Sequence, residues 1–467
     1  MTRIDKPPRS RRGVGLVAGV GAAAVAAATI LAGGGTATAD SVAATISHGD
    51  IWSPHALAIK PDGTRAYVAN SGEGQVSVID TATNAVIGAP FRVGNDFAGM
   101  KPTAVAITPN GARAYVTVQT DAGGLVSVVD LATGDVVENI PVGAQPYKVA
   151  FSRDGSRAYV TNWGDFLGDG SMWVIDTTAT PPATLGHPID VGPSPTSVAI
   201  NADGTRAYVT NRATEAFADG AVSVIDLAGK TRVDQPIGVV GMPGAIAISP
   251  DGTRAYVTTT MRNGDGRVTV IDTATNAVVG VPIVVGPYPG GVAITPNGTR
   301  VYVTNAGFGT LLDPGSVSVI DTTANPPVVT EVAVGRSPRE IAITPDGAHA
   351  YVTNQSGHSV SVIAIDRAPT LTGAPPVGAA GQSYAHAFTV AGEPAPTVSV
   401  TTGSLPTGLN VSPGGILSGT PTTGGRFEFT VTATNKFGKA DLPVVLDITG
   451  SPDAPDTPAG SLGSLGS

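Results

Sequence analysis

Seven near-copies of one nine-residue segment limit what this chain can fold into more than any other feature does. The copy at residues 203–211 reads DGTRAYVTN. Its tyrosine recurs every 44 to 49 residues, at Tyr67, Tyr115, Tyr159, Tyr208, Tyr256, Tyr302 and Tyr351. A nearly constant period in this range indicates an array of one supersecondary unit. Parallel β-helices and leucine-rich repeats have much shorter periods, so the period excludes both.

Each repeat contains four predicted strands, as the copy at residues 289–336 illustrates. The apolar segment PGGVAI leads into a Pro-Asn-Gly turn, whose glycine supplies the positive φ that a tight hairpin needs. TRVYVTN follows with the alternation of a half-buried strand. GSVSVID and PPVVTEVAVG supply a third and a fourth strand. Seven antiparallel units of four strands predict a β-propeller, in which each unit forms one blade.

The seventh repeat stops without a fourth strand. Its third strand ends at Ala364, whereas the other six end in aspartate, at Asp80, Asp130, Asp176, Asp226, Asp272 and Asp321. The segment DSVAATISHG at residues 40–49 has the apolar alternation and closing glycine of a fourth strand. We therefore predict that residues 41–49 pair beside residues 360–363, complete the last blade and close the ring.

Two family resemblances support this fold class. The recurring Y-V-T-N motif resembles the YVTN family of β-propellers, which is related to lactonase-like and surface-layer-type propellers, over about residues 41–366. The segment SLPTGLNVSPGGILSGTPTTGGRFEFTVTATN resembles a bacterial Ig-like module. Alternation of Phe427, Phe429, Val431 and Ala433 predicts one face of a sandwich. The predicted fold is all-β, a seven-bladed β-propeller closed by an N-terminal strand and followed by a small Ig-like β-sandwich.

The first 39 residues have the pattern of an export signal. Basic residues precede an apolar run, and Ala37-Thr38-Ala39 offers a cleavage site before Asp40. SRRGVGL also resembles a twin-arginine signal. We therefore predict a signal peptide at 1–39, a propeller at 40–366, an Ig-like sandwich at 367–449 and a disordered tail at 450–467. We expect export by the Sec or the Tat route, with an uncleaved membrane anchor as the alternative.

Charge and composition limit the partners of the mature chain. Removal of residues 1–39 would leave 22 basic and 35 acidic residues, a net charge of −13 in place of −9. Such an acidic chain is a poor candidate for binding nucleic acid or an anionic membrane. The chain has no cysteine, which excludes disulfides, thiolate metal sites and a cysteine nucleophile. We expect a secreted or cell-envelope monomer without a membrane span in its mature form.

The variable loops between second and third strands are the first candidate site, because loops on a rigid scaffold often carry binding residues. The richest loop, at residues 162–171, offers Trp163, Asp165, Phe166 and Asp169. Two further loops add Glu215, Phe217 and Phe308. The alternative is that these loops are only structural, since turns favour aspartate and glycine in any case.

The mouth of the central channel is the second candidate. The residues just after each first-strand proline should form it, and they differ between repeats: His55, Thr103, Tyr147 with Lys148, Thr196, Gly244, Gly290, and Arg339 with Glu340. Variation at one structural position indicates a specialised surface, although solvated loop ends would vary as well. The candidate ligand-binding residues here are His55, Tyr147, Lys148, Arg339 and Glu340.

Residue patterns that carry chemistry are scarce. No two of the six histidines have metal-ligand spacing on one element, and no glycine-rich phosphate loop joins a strand to a helix. We therefore predict no cofactor and no metal, and a non-enzymatic exported protein that recognises an extracellular protein or glycan through the variable-loop face. The resemblance to lactonase-like propellers implies an alternative, a hydrolase at the channel mouth that uses His55. A structural role in the cell envelope is the third alternative.

Overall fold

The computed structural model describes residues 40–94, 100–121, 123–164, 170–212, 219–308, 314–435 and 437–450. In these ranges the regular structure is entirely strand, so the predicted all-β class is confirmed. The predicted signal peptide lies outside the described residues, as does nearly all of the predicted tail. In the part of the chain that is described, no helix has the length and apolar character needed to cross a membrane.

The first three blades follow the N-terminal strand β1 (Ser41–Ile46). The first contains β2 (Pro54–Ile59), β3 (Arg65–Asn70), β4 (Gln75–Asp80), β5 (Ala85–Val86) and β6 (Phe91–Arg92). The second contains β7 (Lys101–Ile107), β8 (Arg113–Thr120), β9 (Gly123–Asp130) and β10 (Val136–Val142). The third contains β11 (Pro146–Phe151), β12 (Arg157–Asn162), β13 (Gly170–Asp176), β14 (Ala183–Thr184) and β15 (Ile189–Gly192).

The next three blades have four continuous strands each. The fourth contains β16 (Pro195–Ile200), β17 (Arg206–Asn211), β18 (Gly220–Asp226) and β19 (Thr231–Val239). The fifth contains β20 (Met242–Ile248), β21 (Arg254–Thr260), β22 (Gly266–Asp272) and β23 (Ala277–Val285). The sixth contains β24 (Pro289–Ile294), β25 (Arg300–Asn305), β26 (Ser316–Asp321) and β27 (Val328–Ala333).

The outer strand of the first and third blades departs from the prediction of four continuous strands. In each blade it is divided into two short pieces, β5 with β6 and β14 with β15, that pair separately with the third strand. A glycine with positive φ and a nearby proline lie between the pieces: Gly88 with Pro90, and Gly186 with Pro188. Proline has no amide hydrogen for the ladder, which favours a break, but β23 is continuous through the same motif at Gly280 and Pro282, so this motif alone does not explain the division.

The seventh blade is assembled from both ends of the propeller sequence. It contains β28 (Pro338–Ile343), β29 (His349–Asn354) and β30 (Ser359–Ala364), with β1 paired antiparallel to β30. Val42 lies opposite Ile363, and Ile46 lies opposite Val360, which is the pairing that the sequence predicts. The first strands of successive blades pack side by side, and β28 packs beside β2. The dependence of ring closure on β1 stays a prediction.

The second strand of each blade is buried on both faces, and the half-buried strand expected from its alternation is therefore wrong. In β17, the five residues from Ala207 to Asn211 are all buried. Each blade is covered by a neighbour on either side, so the polar positions of the strand are buried as well. Some of these polar groups are bonded to the neighbouring blade: the Thr210 hydroxyl donates to the Gly244 carbonyl oxygen at 2.8 Å. The turn before β17 has Gly204 at a φ of 71°, as predicted.

The repeat tyrosine joins one blade to the next. The Tyr208 hydroxyl donates to the Thr273 carbonyl oxygen and to Asn276 Oδ1, both at 3.0 Å, in the turn between the third and fourth strands of the following blade. The Tyr351 hydroxyl donates in the same way to Asn84 Oδ1, at 2.6 Å, across the junction of the seventh and first blades. The signature tyrosine is thus an inter-blade contact at these two junctions, whereas the buried Tyr115 hydroxyl has no hydrogen-bond partner among the described residues.

The seventh blade has no turn between a third and a fourth strand, and Asp40 takes the place of that turn as the hydrogen-bond acceptor for the preceding blade. Its buried carboxylate accepts hydrogen bonds from the Tyr302 hydroxyl, from Arg300 Nη1 at 2.8 Å and from the Asp366 amide nitrogen at 2.9 Å. We call these four residues the seam cluster. Burial and the adjacent carboxylate raise the pKa of the Tyr302 hydroxyl, so it stays a hydrogen-bond donor. The cluster ties the N-terminal strand to the sixth blade and to the end of the propeller sequence.

The Ig-like module follows the seventh blade. It contains β31 (Arg367–Thr372), β32 (Gly378–Ala379), β33 (Tyr384–Ala387), β34 (Thr389–Glu393), β35 (Thr397–Gly403), β36 (Leu409–Val411), β37 (Ile416–Gly419), β38 (Gly425–Asn435) and β39 (Gly438–Thr449). These strands form sheets of two, four and three strands. Phe429, Val431 and Ala433 are buried in one core, and Phe427 packs against it, which confirms the predicted face of β38.

Candidate functional site

A cavity of about 510 Å³ lies where the first strands of the blades begin. Every position that the repeats predict for the channel mouth lines it: His55, Thr103, Tyr147, Lys148, Thr196, Gly244, Gly290, Arg339 and Glu340. The first strands of all seven blades therefore contribute residues to one cavity. We use the name channel mouth for this cavity and its lining.

A backbone irregularity places the lining side chains. In every blade the pairing of the first strand with the second shifts register at the predicted position, for example between Pro54 and Ala56, which leaves His55 unpaired. The same shift occurs between Pro146 and Lys148, at Tyr147. A β-bulge of this kind re-aims a side chain and is common beside functional sites. The bulge recurs in all seven blades.

Two lining residues form an ion pair across the ring. Lys148 Nζ of the third blade contacts Glu340 Oε2 of the seventh blade. Three blade steps separate these blades along the shorter way round, so the pair bridges the channel. Both side chains are mostly buried. The ion pair neutralises the Glu340 carboxylate, the acidic side chain of the described lining, with the charge of Lys148.

His55 is held in its neutral form. Its Nδ1 donates a hydrogen bond to the Thr103 carbonyl oxygen at 2.7 Å, which leaves Nε2 as the ring nitrogen with a lone pair. Burial, together with the positive charge of Arg339, lowers the pKa of His55 to about 4. At neutral pH the imidazole therefore adds no charge to the channel mouth.

Arg212 is the functional candidate that the sequence reasoning missed. It lines the cavity, and its guanidinium carbon lies 5.4 Å from the centroid of the Trp163 ring. Its Nε is buried and has no hydrogen-bond partner among the described residues. Burial and the charge of Arg339 lower the pKa of Arg212. The sequence contains a signal that could have identified Arg212. It directly follows the nine-residue repeat segment, at the position that Gln355 holds in the seventh repeat.

Aromatic rings cover two sides of the channel mouth. Tyr288 and Phe308 meet edge to face, with centroids 6.1 Å apart, and both are well exposed. Across the ring, Tyr147 meets Trp163 with centroids 5.8 Å apart. Trp163 is half-buried and is not among the residues that line the cavity. It contacts the Tyr147 ring and the Arg212 guanidinium instead of the cavity itself.

The remaining sequence candidates have mixed outcomes. Phe308 lines the cavity, and Arg339 Nε donates to Gln355 Oε1 at 2.7 Å. Five candidates lie outside the described residues: Asp165, Phe166, Asp169, Glu215 and Phe217. Over the described ranges, no group of three or more histidine, aspartate or glutamate side chains is arranged to hold a metal ion. The assignment of all these residues to a ligand stays a prediction.

Three family models match parts of the chain. "Lactonase, 7-bladed beta-propeller" matches residues 246–374, and "Choice-of-anchor I domain" matches residues 55–182. "Putative Ig domain" matches residues 342–449. Each match covers less than a third of the chain. No protein in a curated collection matches.

Solved structures with similar folds are β-propellers. Hydrazine Synthase of Kuenenia stuttgartiensis is 25% identical, with a TM-score of 0.58 over 67% of this chain and 95% of that chain. The Cps50 (Swd1) beta-propeller domain of Myceliophteria thermophila is 13% identical, with a TM-score of 0.53 over 69% of this chain and 99% of that chain. The second likeness shows the fold alone. From the repeats, the sheets and these matches together, the chain is a seven-bladed β-propeller followed by an Ig-like domain.

Proposed function

We propose that this protein binds a glycan, and that the channel mouth holds one of its sugars. The observation that carries the proposal is the convergence of seven variable repeat positions on one cavity of about 510 Å³. Small-ligand sites typically occupy about 300–1,000 Å³ and combine apolar walls with a few polar groups. A protein partner would be expected to use a broad, flatter surface, so the geometry favours the glycan over the protein.

The lining supplies the two kinds of contact that a sugar needs. Aromatic faces pack against the apolar C–H face of a pyranose ring, and Tyr288 and Phe308 offer such faces near the rim. Polar atoms fix the orientation of hydroxyl groups, and Gln355, the Lys148–Glu340 pair and the His55 Nε2 lone pair are available. Export, which the N-terminal pattern predicts, would place such a protein where extracellular glycans occur.

Substitution of the rim aromatics tests the proposal. We expect Tyr288→Ala and Phe308→Ala each to weaken binding on an oligosaccharide array about tenfold or more, since truncated aromatic anchors often cost above 1 kcal/mol. Melting should be unchanged, because both rings are exposed. The matched control is Val281→Ala, which removes an 87% exposed side chain from β23 on the outer rim of the fifth blade. Absence of binding to every oligosaccharide, or full binding by both variants, would reject the proposal.

A hydrolase of the lactonase-like class is the second candidate. It is favoured by the partial family match over residues 246–374, which includes Arg339 and Glu340. However, a histidine with a pKa of about 4 is a weak general base at neutral pH, and Glu340 is already paired with Lys148. Hydrolysis of δ-gluconolactone by the unmodified protein, lost in His55→Ala, would support this candidate over binding alone.

A further inference from the structure

We infer that the bound sugar is acidic and that Arg212 and Arg339 receive its carboxylate. This inference rests on the proposed glycan function and specifies the class of glycan. Within the described lining, three side chains are basic, Lys148, Arg212 and Arg339, and one is acidic, Glu340. The described lining is therefore net positive, although the chain as a whole is acidic.

The single acidic side chain of the described lining already has an ion-pair partner. Glu340 is paired with Lys148, so it does not neutralise either arginine. The partner of Arg339 is the uncharged Gln355 side chain. Arg212 packs on the Trp163 ring and leaves a buried Nε without an acceptor. Two guanidinium groups thus reach the same cavity with no counter-charge from the described residues.

Electrostatic coupling shows that these charges act on the same region. Burial is the main cause that lowers the pKa of Arg212 and that of His55, and the charge of Arg339 lowers both further. Mutual repulsion of this kind is unfavourable in the empty cavity, and a bound anion would relieve it. A buried polar group without a partner carries a cost as well, which an acceptor atom of the ligand would remove.

A carboxylate suits this arrangement in geometry as well as in charge. Arginine presents parallel N–H donors that bind a carboxylate in bidentate fashion. The stacking of Arg212 on Trp163 restricts the guanidinium before ligand arrives, so less conformational entropy is lost on binding. A uronic acid combines this carboxylate with a pyranose face for Tyr288 and Phe308.

Paired oligosaccharides test the inference. Fragments of polygalacturonate, polyglucuronate and polymannuronate are each compared with their own methyl esters by titration calorimetry, with a sulfated galactose oligosaccharide and a neutral array as further arms. We expect at least one acid to bind roughly 10- to 100-fold more tightly than its ester, the value of a charged hydrogen bond. Arg212→Gln and Arg339→Gln should abolish that preference. Arg206→Gln, at the start of β17, loses the same charge outside the cavity lining and should keep it.

The outcomes separate this inference from the proposed function. Equal or tighter binding of the esters would overturn the acidic class and leave glycan binding intact. Binding confined to neutral or sulfated sugars would do the same. Absence of binding in every arm would overturn the proposed function. Retention of the acid preference in both arginine variants would show that other residues receive the carboxylate and would overturn the assignment.

Discussion

The seam cluster and the channel mouth both hold arginine beside tyrosine, yet they treat charge in opposite ways. At the seam, Arg300 faces the buried carboxylate of Asp40, and every polar group shown there has a partner. At the mouth, Arg212 faces an aromatic ring and has no acid among the described residues. A protein gains stability from complete pairing and gains binding capacity from groups left for a ligand. The two regions should therefore respond differently to substitution.

Removal of the whole seam should have the largest effect. A chain that begins at Asp50 lacks Asp40 and β1, so β30 becomes an exposed edge with unpaired amide groups. Loss of about five ladder hydrogen bonds at about 0.5–1.5 kcal/mol each would remove several kcal/mol, comparable to a domain's net stability. Differential scanning calorimetry should show a much lower melting temperature, or aggregation. The control chain begins at Asp40, and equal melting of the two chains would contradict ring closure by β1.

Asp40→Ala should have the next largest effect. It leaves the Arg300 cation and the Tyr302 hydroxyl without their buried acceptor. Breaking one side of a buried ion pair typically costs about 3–5 kcal/mol. Urea unfolding measures this loss, and glycan binding at the distant channel mouth should be unchanged. The exposed pair of Asp190 and Arg232 is the matched control, because Asp190→Ala should cost at most about 1 kcal/mol.

The pH dependence of the unfolding free energy should show a contribution from the protonation of His55. Its pKa is about 4 in the folded protein and about 6.5 when unfolded, so the unfolded chain binds the proton more tightly. The resulting stabilisation is complete above pH 6.5 and is lost as the pH falls through 4, about 3 kcal/mol in all. Urea unfolding at several pH values should show this slope in the unmodified protein and in His187→Gln. In His55→Gln, an undiminished slope would assign it to other groups.

The smallest change in stability is expected for Arg212→Gln. This variant removes a buried charge that has no acid beside it among the described residues, so the unfolding free energy should change by less than about 1 kcal/mol or increase slightly. Arg300→Gln is the matched variant at the seam and should cost several times as much. Comparable losses of unfolding free energy in the two variants would contradict the proposed difference between Arg300, which is paired with a carboxylate, and Arg212, which is left for a ligand.

Much of this arrangement could be predicted from repeats alone. Comparison of seven aligned copies predicted that residues 41–49 pair beside residues 360–363, and it predicted the residues that line the mouth, such as His55 and Tyr147. It did so because each blade places equivalent positions at equivalent points of a ring. Fewer of the predictions for the loops can be compared with the structure. Five candidates there lie outside the described residues, and Trp163 contacts Tyr147 and Arg212 without lining the cavity itself.

What the sequence by itself determined is the repeat: seven blades, their strand order, the absent strand and the position at which variation converges. These follow from local pattern and period, which the chain carries in every copy. Only the tertiary structure decided which groups became partners. Lys148 reaches Glu340 across the ring, Asp40 substitutes for a turn beside Tyr302, and Arg212 rests on Trp163. These contacts join residues from different blades, and their distances depend on how the blades pack around the ring and not on any spacing along the chain.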